Sequence, residues 1–384
     1  MVKKVKSTAC ALAVATGCLL GGSALPAWAR PLAGTAGPGW HLTRVIGTGQ
    51  QELDPTWPGG LVAPSRANAW LTWGGCVIPC DAGPTETLAH WNGHRWSAVP
   101  ASDMQGLEPV YVAASSAHDT WVFGPVPHSN YYGARQWNGI RWSKVATPTW
   151  MMRINGSGDY AVYTADFGPR NLWVFSLGAY IGEKTAFAAK YHNGRWTKSF
   201  LPDVPEQAAA LSSTDIWVLG LPFKGKGGEV VLRWNGHRWA RSSFPRQREA
   251  GSPYGLVATG PNSLWVVWQP DKAGERQYLL HWTGHRWAKV SLPANDVELA
   301  LAGDGGSGVW ATALGPGKAQ PQLFMHWSGG HWKVTRVPFQ FAGQIGQANE
   351  LAAIGGTRSM WGVGHVYTLG PSAFNRVAIW RYNP

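Results

Sequence analysis

The sequence predicts an all-β chain, a seven-bladed β-propeller of four-stranded blades whose last blade is closed by an N-terminal strand at residues 40–45. Three observations carry this expectation. HWNGHRW at 90–96 recurs as QWNGIRW at 136–142, KYHNGRW at 190–196, RWNGHRW at 233–239, HWTGHRW at 281–287 and HWSGGHW at 326–332. A second motif precedes each copy and occurs once more near the C-terminus, led by Trp70, Trp121, Trp173, Trp217, Trp265, Trp310 and Trp361 at spacings of 44 to 52 residues. A period of about 50 with several short strands per unit is that of propeller blades. The two chain ends, finally, hold complementary fragments of one unit.

In chain order, Lys3, Lys4 and Lys6 precede an apolar run at 9–20 that is too short to span a bilayer, and Ala27-Trp28-Ala29 fits a cleavage site. Residues 1–29 therefore read as a secretory signal peptide and residues 30–384 as a single propeller domain, secreted and extracellular. A lipoprotein processed at Cys18 is the alternative. No later stretch has the continuous apolar length of a transmembrane segment. Cys76 and Cys80 remain after processing, and an even count in an exported chain predicts a local disulfide between them, a CxxxC metal or redox pair being the rival.

Each unit divides into four strands. The first is small and aliphatic, as at 110–115, 208–211, 255–258 and 298–302, which suits an innermost strand. Next comes a turn with Asn68, Asp119, Asn171, Asp215, Ser263 or Ser359 two positions before the leading Trp, placed to bond locally to the backbone. The second strand carries that Trp. The third and fourth are the arms of the HWNGHRW hairpin, where two aromatics flank an Asn-Gly turn. Arg95, Arg141, Arg195, Arg238 and Arg286 precede the second Trp and are expected to stack on rings of a neighbouring layer.

The 25 tryptophans explain why such blades adhere. A buried indole removes about 150–250 Å² from water, ~4–6 kcal/mol gross. In the last unit the inner strand at 348–354 and the Trp361 strand are followed by a third strand at 377–381, whose residues 379–381 match the first hairpin arm. Its missing fourth strand stands at the other end, as WHLTRV at 40–45. Joining them removes two open sheet edges.

The pattern Asp-x-Trp-Val-x-Gly, then hydrophobic-x-x-Trp-Asn-Gly-x-x-Trp, resembles kelch and galactose-oxidase-type propellers. It is closer still to Trp-rich repeats of exported actinobacterial and other bacterial proteins. The resemblance covers all of 30–384 and implies the propeller fold. It departs from kelch in having one Gly after the second strand (Gly124, Gly220, Gly364), with a pair only at Gly74-Gly75. It implies no activity, because propellers host many unrelated ones.

The net charge of +12 includes the three leader lysines, and much of the rest is distributed by the repeat. That is no nucleic-acid footprint. The repeated histidines, such as His90/His94 and His281/His285, read as surface or packing residues, and neither a metal nor another cofactor is expected. The loops that escape the repeat remain. Their Trp57, Tyr131, Tyr132, Trp150, Arg153, Tyr254 and Trp268 are the candidate ligand-binding residues of a monomeric, non-enzymatic scaffold for a protein or polysaccharide. The alternative is a glycosidase or lyase using His128 or the loop acids Glu52, Asp54, Asp103, Glu108 and Asp203.

Overall fold

An Asn-Gly pair sets the hairpin turn in three of the repeats. Asn92 Oδ1 accepts the backbone N–H groups of His94 and Arg95, both at 3.0 Å, and Gly93 takes φ +94°. Asn138 and Asn235 repeat this arrangement with Gly139 and Gly236. The amide side chain thereby replaces a backbone turn contact, and only glycine adopts the following conformation without strain. The aromatics on the two arms then face each other: Trp91–Trp96, Trp137–Trp142, Trp234–Trp239 and Trp282–Trp287 have ring centroids 5.9, 5.6, 5.5 and 5.7 Å apart.

The computed structural model describes residues 38–46, 57–74, 87–126, 129, 132–148, 150–151, 162–176, 186–223, 228–272, 274–294, 299–316, 320–339, 344–368 and 376–384. The leader, Cys18, and the Cys76–Cys80 pair lie outside them. The described residues form seven four-stranded antiparallel sheets. Blade 1 is Trp57–Ser65, Asn68–Gly74, Thr87–Trp91 and Trp96–Ala98. Blade 2 is Tyr111–Ser116, Asp119–Pro125, Tyr132–Trp137 and Trp142–Val145. Blade 3 is Val162–Asp166, Asn171–Ser176, Ala186–His192 and Arg195–Leu201. Blade 4 is Val204–Ser212, Asp215–Leu221, Val230–Trp234 and Trp239–Ser243. Blade 5 is Gly251–Gly260, Ser263–Pro270, Tyr278–Trp282 and Trp287–Ser291, and blade 6 is Leu301–Gly303, Val309–Leu314, Gln322–Ser328 and His331–Val337. Blade 7 is Gln344–Ala353, Met360–Thr368, Arg376–Asn383 and, from the other end of the chain, Gly39–Ile46. The first strands touch one another in cyclic order, with blade 7 against blade 1, so the ring is closed.

The core lies between blades rather than inside one. Each leading Trp is buried against the hairpin aromatics of the next blade: Trp70 lies 5.3 Å from Trp142, Trp173 lies 5.4 Å from Trp234, and Trp361 lies 5.2 Å from Trp91. At the closing blade Trp310 meets Tyr382 at 4.9 Å and Trp40 at 5.4 Å. Tyr382 pairs with Trp40 across the sheet as Trp91 pairs with Trp96. The sequence match therefore shifts: Tyr382, beyond 379–381, fills the first-arm aromatic position, and Trp380 faces Leu42 deeper in the sheet.

Two further expectations are corrected. Arg95, Arg141, Arg195, Arg238 and Arg286 are exposed, Arg195 at the start of a strand and the others on the hairpin loops. The residue just before the first-arm aromatic covers the leading Trp instead. His281 stacks on Trp265 at 3.7 Å, His90 on Trp70 at 4.1 Å, and the Arg233 guanidinium lies 4.6 Å from Trp217. The turn residues reach that same side chain rather than only local backbone: Asn68 to His90, Asp119 to Gln136, Asp215 to Arg233 and Ser263 to His281, at 2.9–3.0 Å. A strand presents alternate residues to one face, so this position points at the Trp while the arginine five residues on sits at the exposed turn.

The glycine three residues after Trp121, Trp217 and Trp361 has a steric cause. A Cβ at Gly124, Gly220 or Gly364 would overlap the carbonyl of Glu108, Val204 or Gln347, where the chain enters the same blade. Gly124→Ala is expected to cost about 1–3 kcal/mol through overpacking. A wild-type urea midpoint for that variant would overturn the assignment.

Candidate functional site

Among the described residues, those that link one blade to the next stand at the end of the ring opposite the Asn-Gly turns. There the connection from blade 2 to blade 3 carries Trp150. The Met151 N–H donates to the Pro148 carbonyl at 3.0 Å, and the Met151 side chain is buried among Phe123, Tyr132 and Leu172. That anchor leaves the neighbouring Trp150 half-buried at the surface. Its ring meets Phe187 edge-on at 5.4 Å, and Phe187 meets Phe200, its cross-strand partner in blade 3, at 6.4 Å. Phe200 is 63% exposed. Lys198, two residues earlier on the same strand face, holds Nζ 4.4 Å from the Phe187 ring and 5.1 Å from Trp150. Three rings and one cation thus form a ledge on the rim between blades 2 and 3.

A related pair stands in blade 5, where Lys289 Nζ lies 3.5 Å from the Tyr278 ring. Here the ring is buried and engaged. The Tyr278 hydroxyl donates to Gln247 at 3.0 Å and Glu249 at 3.2 Å, and burial pushes its phenol upward in pKa. Glu249 borders two adjoining polar clefts of about 760 and 460 Å³ between and beside blades 4 and 5. Two of their cations are paired, Lys289 at 3.7 Å from Glu249 and Arg241 at 2.9 Å from the buried Asp203, and Arg246 and Arg276 also border the clefts.

Of the residues expected from sequence, Trp150 belongs to the ledge. Tyr132 and Trp268 are packed in core clusters, at 6% and 4% exposure, and Trp268 also borders the larger cleft. Tyr254 is half-buried on the first strand of blade 5. Trp57 opens the first strand of blade 1, opposite Gly74. Tyr131, Arg153 and His128 lie outside the described residues, as do Glu52 and Asp54. The remaining loop acids are dispersed: Asp103 sits on the one-turn helix Ala101–Met104, Glu108 enters blade 2, and Asp203 enters blade 4. Sequence reasoning missed Phe187, Lys198 and Phe200. Phe200 was legible in principle, because the equivalent position four residues after the second hairpin aromatic is Pro100, Ala146, Ser243, Ser291 or Arg336 in other repeats.

A closed seven-bladed propeller with an aromatic rim is what the fold and the site define. No protein-family model matches the chain, and no curated protein matches its sequence. Solved structures do share the fold. YCF48 bound to D1 peptide is 13% identical with a TM-score of 0.55, covering 92% of this chain and 100% of that one. The β-propeller domain of the Trilobed protease from Pyrococcus furiosus, described as having an open velcro topology, is 9% identical with a TM-score of 0.54, covering 85% and 93%. A six-bladed fucose-recognising lectin from the fungus Aleuria aurantia is 13% identical with a TM-score of 0.47, covering 75% and 95%. What this chain has in common with the first two is the propeller fold.

Proposed function

We propose that this chain is a secreted, non-enzymatic propeller scaffold that binds polysaccharide on the ledge of Trp150, Phe187, Phe200 and Lys198. The observation that carries the reading is the exposed Phe200 ring beside two half-covered rings and a cation. Large apolar rings are ordinarily withdrawn from water, and a cluster left at the surface is a contact site. Sugar rings offer C–H faces to aromatic rings and hydroxyl or acid groups to an adjacent ammonium, which suits this mixture. The basic leader and its Ala27-Trp28-Ala29 site support export, and the repeat pattern supports kinship with exported Trp-rich propellers.

The test is retention of soluble polysaccharides and of protein partners by the immobilised protein, comparing wild type with Phe200→Ala and Trp150→Ala. Each variant is expected to weaken polysaccharide retention at least about tenfold, the loss of roughly 1.4 kcal/mol of contact energy. Phe200→Ala should leave thermal stability unchanged because the ring is mostly solvated. Unchanged retention would remove the ledge from the proposal. Release of shortened sugar products would turn the reading to a carbohydrate-active enzyme, and retention of proteins alone would turn it to a protein scaffold.

A further inference from the structure

The repeat is broken at the interface between blades 6 and 7, on the end of the ring that carries the Asn-Gly turns. In other blades the hairpin loop lies over the turn between that blade's first two strands: Gly93 sits against Ala67, Gly139 against His118, Gly236 against Thr214 and Gly284 against Asn262. Blade 7 draws its third and fourth strands from opposite ends of the chain, so no hairpin loop joins them over its own turn at Thr357 and Arg358. Blade 6 departs from the repeat as well, with Asp304 filling the place of the usual turn side chain and meeting His326. Its turn reads GDGGSG at 303–308, with glycine at 308 where other units carry the turn side chain. A Cβ at Gly308 would run into the Asp304 carboxylate and the Trp327 carbonyl. The outcome is a cleft of about 470 Å³ bordered by Asp304, His326, Ser328, Arg358 and Tyr382.

The charges in this cleft are unequally committed. Asp304 Oδ1 accepts the Gly306 and Gly308 N–H groups at 2.8 and 3.0 Å, and Oδ2 is 2.9 Å from His326 Nε2. His326 in turn lies flat on Trp310 at 4.3 Å, which fixes its ring plane at the cleft wall. Arg358 is exposed and enters no ion pair or hydrogen bond found among the described residues. The site therefore offers one uncommitted guanidinium, the hydroxyls of Ser328 and Tyr382, and a braced His–Asp pair.

We propose that this cleft is a second ligand site, taking a sugar residue that bears a carboxylate. A guanidinium matches a carboxylate in two-pronged geometry, and the surrounding hydroxyls match those of a pyranose. The volume lies within the range of small-ligand pockets. The site is remote from the ledge and stands without it.

The test is calorimetric titration of the full chain with glucuronate, glucose and acetate. Glucuronate is expected to saturate a single site, with glucose and acetate each at least about tenfold weaker, roughly 1.4 kcal/mol. Arg358→Ala should abolish the preference for the acid, and the exposed position of that side chain leaves folding intact. His326→Gln should weaken both sugars. Phe200→Ala should leave glucuronate binding at the wild-type level, which separates this site from the polysaccharide ledge. Absence of saturable glucuronate binding, or binding indifferent to Arg358→Ala, would overturn the proposal. Acetate binding as tightly as glucuronate would reduce the cleft to a simple anion site and overturn the sugar assignment.

Discussion

Trp40→Ala is expected to cost about 3–5 kcal/mol, the range for deleting a large buried aromatic. In thermal melts that is a fall of roughly 5–10 °C for a domain of this size. The side chain is 5% exposed, stacks on Phe324 at 3.7 Å and touches both Trp310 and Tyr382. Its effect should exceed that of equal truncations elsewhere, because it sits on the strand that closes the ring. Opening that strand exposes edges of blade 7 and strips the cover from Trp310 together. The variant should therefore also show a raised tendency to associate, read by light scattering. Ile140→Ala, at a loop position 84% exposed, is the control and should melt with wild type. A Trp40→Ala protein with an unshifted melt would mean that the closing strand contributes little to the ring.

The second large effect is electrostatic. Asp166 in blade 3 and Asp119 in blade 2 share one inter-blade site. Ser115 links them, its N–H donating to Asp166 at 2.9 Å and its hydroxyl to Asp119 at 2.7 Å. Burial, and then the charge of Asp119, push the Asp166 carboxyl up to about 8. An ordinary carboxyl in the unfolded chain titrates near 4, at roughly 3.9. The folded state therefore holds the proton more tightly, and its advantage is full below about pH 4. It is lost progressively as pH rises toward 8, because folding then excludes a charge that the unfolded chain carries freely. Asp166→Asn removes the titration. Relative to wild type, its stability should rise across that window, by on the order of a few kcal/mol at pH 9 compared with pH 4. The measurement is urea unfolding of both proteins at several pH values. A difference between them that does not change with pH would show that Asp166 does not hold its proton in this way.

Repetition is why so much of the fold could be read in advance. Seven leading tryptophans and six hairpins mark blade number and strand order, since each copy faces the same local steric problem and answers it with the same residues. Asn92 with Gly93 is legible because an Asx turn followed by a left-handed glycine is a local event. Tyr382 was misplaced for the opposite reason. Without a hairpin loop to count from, its register is set by pairing with Trp40 at the far end of the chain.

The candidate sites divide along the same line. Trp150 announced itself as an aromatic outside the repeat, but Phe187 and Lys198 stand at positions that are ordinary strand residues in other blades. What brings them to Trp150 is the anchoring of Met151 and the register Phe187↔Phe200. Arg358 is one arginine among many until the missing loop leaves it uncovered.

By itself, then, the sequence determined the number of blades, their strand order and the closure of the ring, because these follow from local turn chemistry and alternating burial. The tertiary structure alone decided which cations meet rings, which carboxyl is held protonated and where the surface is open. Those depend on the register of paired strands and on which blades adjoin, and spacing along a single repeat does not encode them.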